Sequence, residues 1–181
     1  ASLLAIPIIF LVYNYADYKM SSRVNKSLAD SLTFEVNAYM FKLVILLRKI
    51  IGIKDKLSWK SIERMVNMEA MQIKKKLNVT KDDLERLKSY KIDLNDLVYK
   101  AANPQVLEGD QIQTLASMVN DMSRLINERK FRGDTKALAK YLEKLLGLMD
   151  DWFDSCERSA LQEHQHFQLA IDQADQAPSV K

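Results

Sequence analysis

Apolar residues recur every three or four positions along most of this chain, and very little interrupts them. Leu28, Leu32, Val36, Tyr39, Met40, Leu43, Leu46, Leu47, Ile50 and Ile51 form one such stripe, which predicts a helix over Ser27–Ile53 ending near Gly52. Ser58 is a suitable N-cap for a helix over Trp59–Leu77, whose stripe is Ile62, Met65, Val66, Ile73 and Leu77. Thr80 with Asp83 resembles a capping box for a short helix ending near Tyr90, and Asp93 opens another that ends before Pro104. From about Asp110 a further helix runs to a break at Phe131-Arg132-Gly133. Asp134 or Thr135 then caps the last long helix. There Leu138, Leu142, Leu145, Met149, Trp152 and Cys156 alternate steps of four and three, which is a heptad seam. It lasts nearly three heptads, too short for a free coiled coil, so a bundle interior is its natural place. Beyond Phe167 the chain thins to a fraying helix and a loose tail.

Across 181 residues there are 4 Gly and 3 Pro, too few to punctuate a many-stranded sheet or a series of strand–helix turns. The fold class is therefore all-α. One cysteine excludes an internal disulfide and a cysteine-based zinc cage. In the seam, Cys156 reads as a small buried hydrophobe and not as a nucleophile.

The N-terminus is different. Ala1–Ala16 carries no charged side chain, and as a helix it would span about 24 Å against a hydrocarbon core of about 30 Å. Tyr13, Tyr15 and Tyr18 border it, as aromatic residues border membrane spans, and Lys19 and Arg23 could extend to the headgroups. A secretory signal would need a basic leader and a small-x-small cleavage site, and neither is visible in these residues. A buried soluble helix would also fit the length. The nearly continuous, non-amphipathic run favours a membrane anchor over residues 1–18. A bundle of about five or six helices over 19–170 and a tail over 171–181 complete the division. Lys19, Arg23 and Lys26 follow the apolar run, so the positive-inside bias places the rest of a single-pass protein in the cytoplasm.

Charge is uneven. Residues 1–41 are neutral, 42–100 carry net +7 and 101–181 carry net −4. Within Tyr39–Ile53, apolar residues face nearly every direction, broken only by Lys42, Arg48 and Lys49. Together with Tyr13, Tyr15, Lys19 and Arg23, these three cations form the expected surface toward lipid or a partner. Lys74-Lys75-Lys76 point in different directions on a helix, and no second basic helix with exposed aromatics accompanies them, so nucleic acid is not the expected partner.

No phosphate-loop, dinucleotide or hydrolase-elbow motif occurs. Asp150-Asp151-x-x-Asp154 places Asp150 and Asp154 on one helical face, with Glu157 extending it. This pattern resembles the aspartate-rich motif of the all-α prenyl-diphosphate synthases and terpene cyclases. The resemblance implies Mg²⁺ held by the carboxylates and a diphosphate bound through it. It covers five residues of 181 and lacks a second metal motif. Glu163-x-x-His166 is half of what a di-iron bundle site needs, and Leu161 three before His164 denies the other half. Neither metal nor cofactor is therefore expected. The sequence points to a non-catalytic, membrane-anchored interaction or scaffold subunit that binds membrane lipid and a protein partner. A ligand-sensing bundle is the alternative, and a Mg²⁺-dependent enzyme using Asp150, Asp151 and Asp154 comes third.

Overall fold

The computed structural model describes residues 5–102, 106–131, 133–156, 161–162 and 165–176. Among these, seven helices are found and no strand. They are α1 (Ala5–Ile51), α2 (Trp59–Val66), α3 (Ala70–Lys76), α4 (Lys81–Ala102), α5 (Gly109–Phe131), α6 (Thr135–Ser155) and α7 (Gln165–Gln176).

The 47 residues of α1 make a helix of about 70 Å. The apolar run and the Ser27–Ile53 stripe, expected as separate elements, are one. No glycine or proline lies between Pro7 and Gly52, so nothing in the chain stops the helix once it starts. Gly52 ends the helix with φ +71°, and its N–H and that of Ile53 return to the carbonyls of Lys49 and Arg48 at 3.1 and 2.9 Å. That is a Schellman cap. A Cβ on Gly52 would also lie 3.1 Å from the Lys76 carbonyl, a tight contact added to the strain of a positive φ.

Ser58 caps α2 as expected, and Ser61 completes a capping box by accepting from the Ser58 N–H at 3.0 Å. The single helix expected over Trp59–Leu77 is broken at Asn67–Glu69. Asn67 Nδ2 donates to the Glu63 carbonyl at 2.8 Å, and the Ala70 N–H at the start of α3 donates to Glu143 Oε1 of α6 at 2.9 Å. A carboxylate from a distant helix thus satisfies a helix start that lacks a side-chain cap of its own. The reverse holds for α4. Two short helices were expected there, but Asp93 continues one 22-residue helix, because its side chain can face outward without capping anything. The Thr80–Asp83 box is present, with the Thr80 N–H and hydroxyl donating to Asp83 Oδ2 at 3.0 and 2.6 Å.

Short connections fold α5 back on α4 and α6 back on α5, and these are the most extensive helix pairings. α3 and α2 lean on α6, while α1 packs on α4 and α7. The core runs through the second half of α1, where Val36, Met40, Leu43, Val44, Leu47, Ile50 and Ile51 are fully buried. Phe41 stacks on Phe153 at 6.2 Å and meets Phe167 at 5.2 Å. Trp59 stands edge-on to both partners, at 5.5 and 5.9 Å. This aromatic cluster ties α1, α2, α6 and α7 together. The heptad seam of α6 is buried from Leu138 to Trp152 as expected, whereas Cys156 is half-buried at the helix end.

No helix among the described residues is long and apolar enough to cross a membrane. The membrane-spanning helix expected over 1–18 is therefore not supported among the described residues, in which Asp17 and Lys19 belong to the same helix as the apolar Ala5–Val12. Residues 1–4 lie outside the described set.

Candidate functional site

The candidate site is the divided α1, whose two halves sit in opposite surroundings. From residue 13 to residue 31 every described side chain but the half-buried Ala29 is exposed. Tyr13 is 75% and Tyr15 65% exposed, with Tyr18 and Met20 comparable. Met20, Val24 and Leu28, spaced by four, form an uncovered apolar strip. Lys19 and Arg23 are exposed beside it, and Lys19 Nζ lies 5.8 Å from the Tyr15 ring centroid, within cation–π reach. The expected lipid-facing or partner-facing residues Tyr13, Tyr15, Lys19 and Arg23 therefore share one projecting segment.

The other three expected contact residues do not join them. Lys49 is 30 residues beyond Lys19 on the same helix, about 45 Å away, so closeness in sequence is not closeness in space. Lys42 is exposed. Arg48 is buried, with 6% exposure, and its guanidinium faces into the chain. It donates to Ser61 Oγ at 2.9 Å and to the Asp55 carbonyl, joining the end of α1 to α2. Burial lowers its pKa from the usual arginine value, and Asp55 opposes that shift. Lys49 keeps a half-exposed side chain but donates at 2.6 Å to Asp83, whose own side chain is fully buried. Burial pushes the Asp83 carboxyl upward, yet bonds from Lys49 and from the Thr80 hydroxyl and N–H outweigh it, leaving the pKa below the usual carboxylate value. The reading of 39–53 as a contact surface is corrected for Arg48: it is interior architecture.

The sequence does contain the signal that separates these cations. Glu35, Lys42 and Lys49 are seven apart, two helical turns, and all three are exposed. With the half-buried Ala38 and Ile45 they define one narrow wet strip, bordered by the exposed Phe34, on the otherwise mostly enclosed second half of α1. Arg48 lies one position off that strip. Asn37 also went unrecognised. It is buried, and its Oδ1 accepts from Trp152 Nε1 at 2.9 Å while Cys156 Sγ lies 3.9 Å away. Tyr39 OH likewise donates to Met122 Sδ at 3.6 Å. Burial first, then Asp93 and Tyr90, raise the Tyr39 pKa, so the phenol remains a neutral donor.

Of the carboxylates considered for a metal, Asp150 is half-buried and Asp151 and Asp154 are exposed. Among the described residues no group of three or more His, Cys, Asp or Glu side chains is gathered to hold a metal ion. Glu157, Glu163, His164 and the side chain of His166 lie outside the described set. Burial raises the pKa of Cys156, with Ser155 opposing, which removes any activation of the thiol. Comparisons with protein-family models, with curated proteins and with solved structures find no match for this chain.

Proposed function

We propose that the chain is a non-catalytic interaction subunit held at a membrane by its N-terminus, with α1 acting as a stalk that carries the bundle. One observation carries this reading: residues 5–16 of the uncharged run belong to a helix whose next turns stay uncovered. A soluble bundle has no use for an exposed stretch holding Tyr13, Tyr15, Tyr18, Met20, Val24 and Leu28 unless something apolar or interfacial meets it. Tyrosines at the headgroup level with Lys19, Arg23 and Lys26 beyond them suit a bilayer surface. From Tyr18 to Leu32, where burial begins, the helix would lift the bundle about 21 Å from that surface. The basic residues after the run orient the bundle toward the cytoplasm.

Fractionation of cells expressing the chain with and without residues 1–16 tests the anchor. The full chain should sediment with membranes and require detergent for release, and the shortened chain should not. A full chain that stays soluble without detergent overturns the proposal. For orientation, a cysteine placed at Ala174 with Cys156 replaced by serine should resist a membrane-impermeant thiol reagent in intact cells. Strong labelling reverses the topology.

A further inference from the structure

At the end of the bundle farthest from the projecting half of α1, the turn after Gly52 and the helices α2 and α3 line a half-open cavity of about 560 Å³. That is within the usual size of a small-molecule site. Its lining combines two chemistries. Ile53, Met65 and Met68 supply apolar wall, with Met65 fully buried. Lys54, Arg64, Lys75 and Lys76 supply four cations against one carboxylate, that of Asp55. Arg64 reaches Asp55 at 3.1 Å, but both side chains are mostly exposed, so that pair is weak and leaves the other three cations uncompensated within the lining.

The site is held from beneath. Arg48 bonds both the Asp55 carbonyl and Ser61, fixing the turn to α2. The Asn78 N–H donates to the Ile50 carbonyl at 2.9 Å, and Gly52 packs against the Lys76 carbonyl, fixing the end of α3 to the end of α1. The lysines of α3 are in its last turn, so the walls that carry the charge are tied to the core and not to a loose loop. Four cations brought together around apolar wall repel one another, and a compact dianion attached to an apolar body relieves that repulsion better than a single carboxylate does. Arginine and lysine together also match phosphate oxygens, the first by paired donors and the second as a point charge.

We propose that this cavity binds an organic phosphate, its anionic group met by Arg64, Lys75 and Lys76 and its apolar body by Met65 and Met68. The phosphate comes from a soluble ester or from a lipid headgroup. The site stands whether or not residues 1–16 enter a bilayer. If they do, α1 carries the cavity about 50 Å from the anchoring surface, which favours the soluble ester.

Calorimetric titration of the full chain with 1-naphthyl phosphate and with 1-naphthoate provides the test. Vesicles of phosphatidylcholine with and without phosphatidic acid form the second arm. Naphthyl phosphate should bind at least about 10-fold more tightly than naphthoate, and Arg64→Gln with Lys75→Gln should weaken it by about 10-fold or more. Lys140→Gln with Lys144→Gln, on α6 and outside the lining, should leave it unchanged. Naphthyl phosphate binding that depends on Arg64 and Lys75 assigns the site to soluble esters. Dependence on those residues only in the phosphatidic acid arm assigns it to a headgroup. Absence of binding in both arms overturns the proposal, as does binding that the Arg64/Lys75 variant retains or equal affinity for naphthoate. Circular dichroism of the variant distinguishes a lost site from a lost fold, since the exchanged side chains are exposed and helicity should be retained.

Discussion

The two halves of α1 differ in composition and still more in surroundings: Ser, Asn and charged residues interleave the apolar ones over 13–31, whereas 39–51 is apolar but for Lys42, Arg48 and Lys49. Residues 13–31 contain Tyr, Met, Val and Leu that face outward, whereas residues 32–51 bury nearly every apolar side chain they have. Both halves are helical. No glycine or proline interrupts either half, so a helix nucleated in the packed half can propagate into the exposed one. Burial needs neighbours, and only the second half has α4, α6 and α7 arranged around it. Helicity and packing are therefore separable properties along a single element, and substitutions can read each one alone.

The widest separation is expected from paired truncations. Leu47→Ala in the enclosed half should cost about 2–5 kcal/mol, because the fully buried site can collapse only in part around the missing atoms. Val24→Ala in the projecting half should change stability by less than about 0.5 kcal/mol, since no packing is lost. Denaturant unfolding of the two variants side by side checks the pair. Equal costs would mean that the projecting half is packed in solution and that the contrast is false.

A second pair compares the cations of the enclosed half. Arg48→Met should cost about 1–3 kcal/mol, because it leaves Ser61 and the Asp55 carbonyl without their donor in a buried place. Lys42→Met, on the wet strip, should be close to neutral. Thermal melting of both variants decides whether Arg48 is architecture. A fully stable Arg48→Met protein would restore this residue to the list of surface contacts.

The smallest effect is in pH dependence. The folded pKa of Asp83 is below its unfolded value, so its contribution is complete above the ordinary carboxylate range. It is lost as pH falls through and below that range, where the folded form must also take up a proton. Lys49→Met removes one of the groups that lower this pKa, and the acid limb of the stability profile should become shallower. Melting temperature against pH for both proteins makes the comparison. Identical acid limbs would show that Thr80 alone holds the carboxylate.

Much of the fold was legible residue by residue. Ser58, Thr80 and Asp134 act as expected at helix starts because a short polar side chain and a free backbone N–H are neighbours in the chain itself. Gly52 and Gly133 end helices with positive φ for the same local reason. The seam from Leu138 to Trp152 is buried because its spacing admits one apolar face. At the α2–α3 break and at Arg48, the deciding group came from elsewhere. The break between α2 and α3 rests on Glu143, 73 residues away from Ala70. Arg48 faces inward because Asp55 and Ser61 fold back to meet it.

The sequence alone therefore determined the helices, most of their ends and the division between a neutral N-terminus, a basic middle and an acidic remainder. Periodicity, capping and breakers act over a few residues, and a reader of the chain sees all the parties to them. Only the tertiary structure decided that Asp55 and Ser61 meet Arg48, that Glu143 meets the start of α3, and that the basic turn and α3 line a cavity. Those outcomes depend on the free energy of contacts between groups far apart in the chain. A guanidinium in the same helical register is solvated or buried according to what the rest of the chain brings to it.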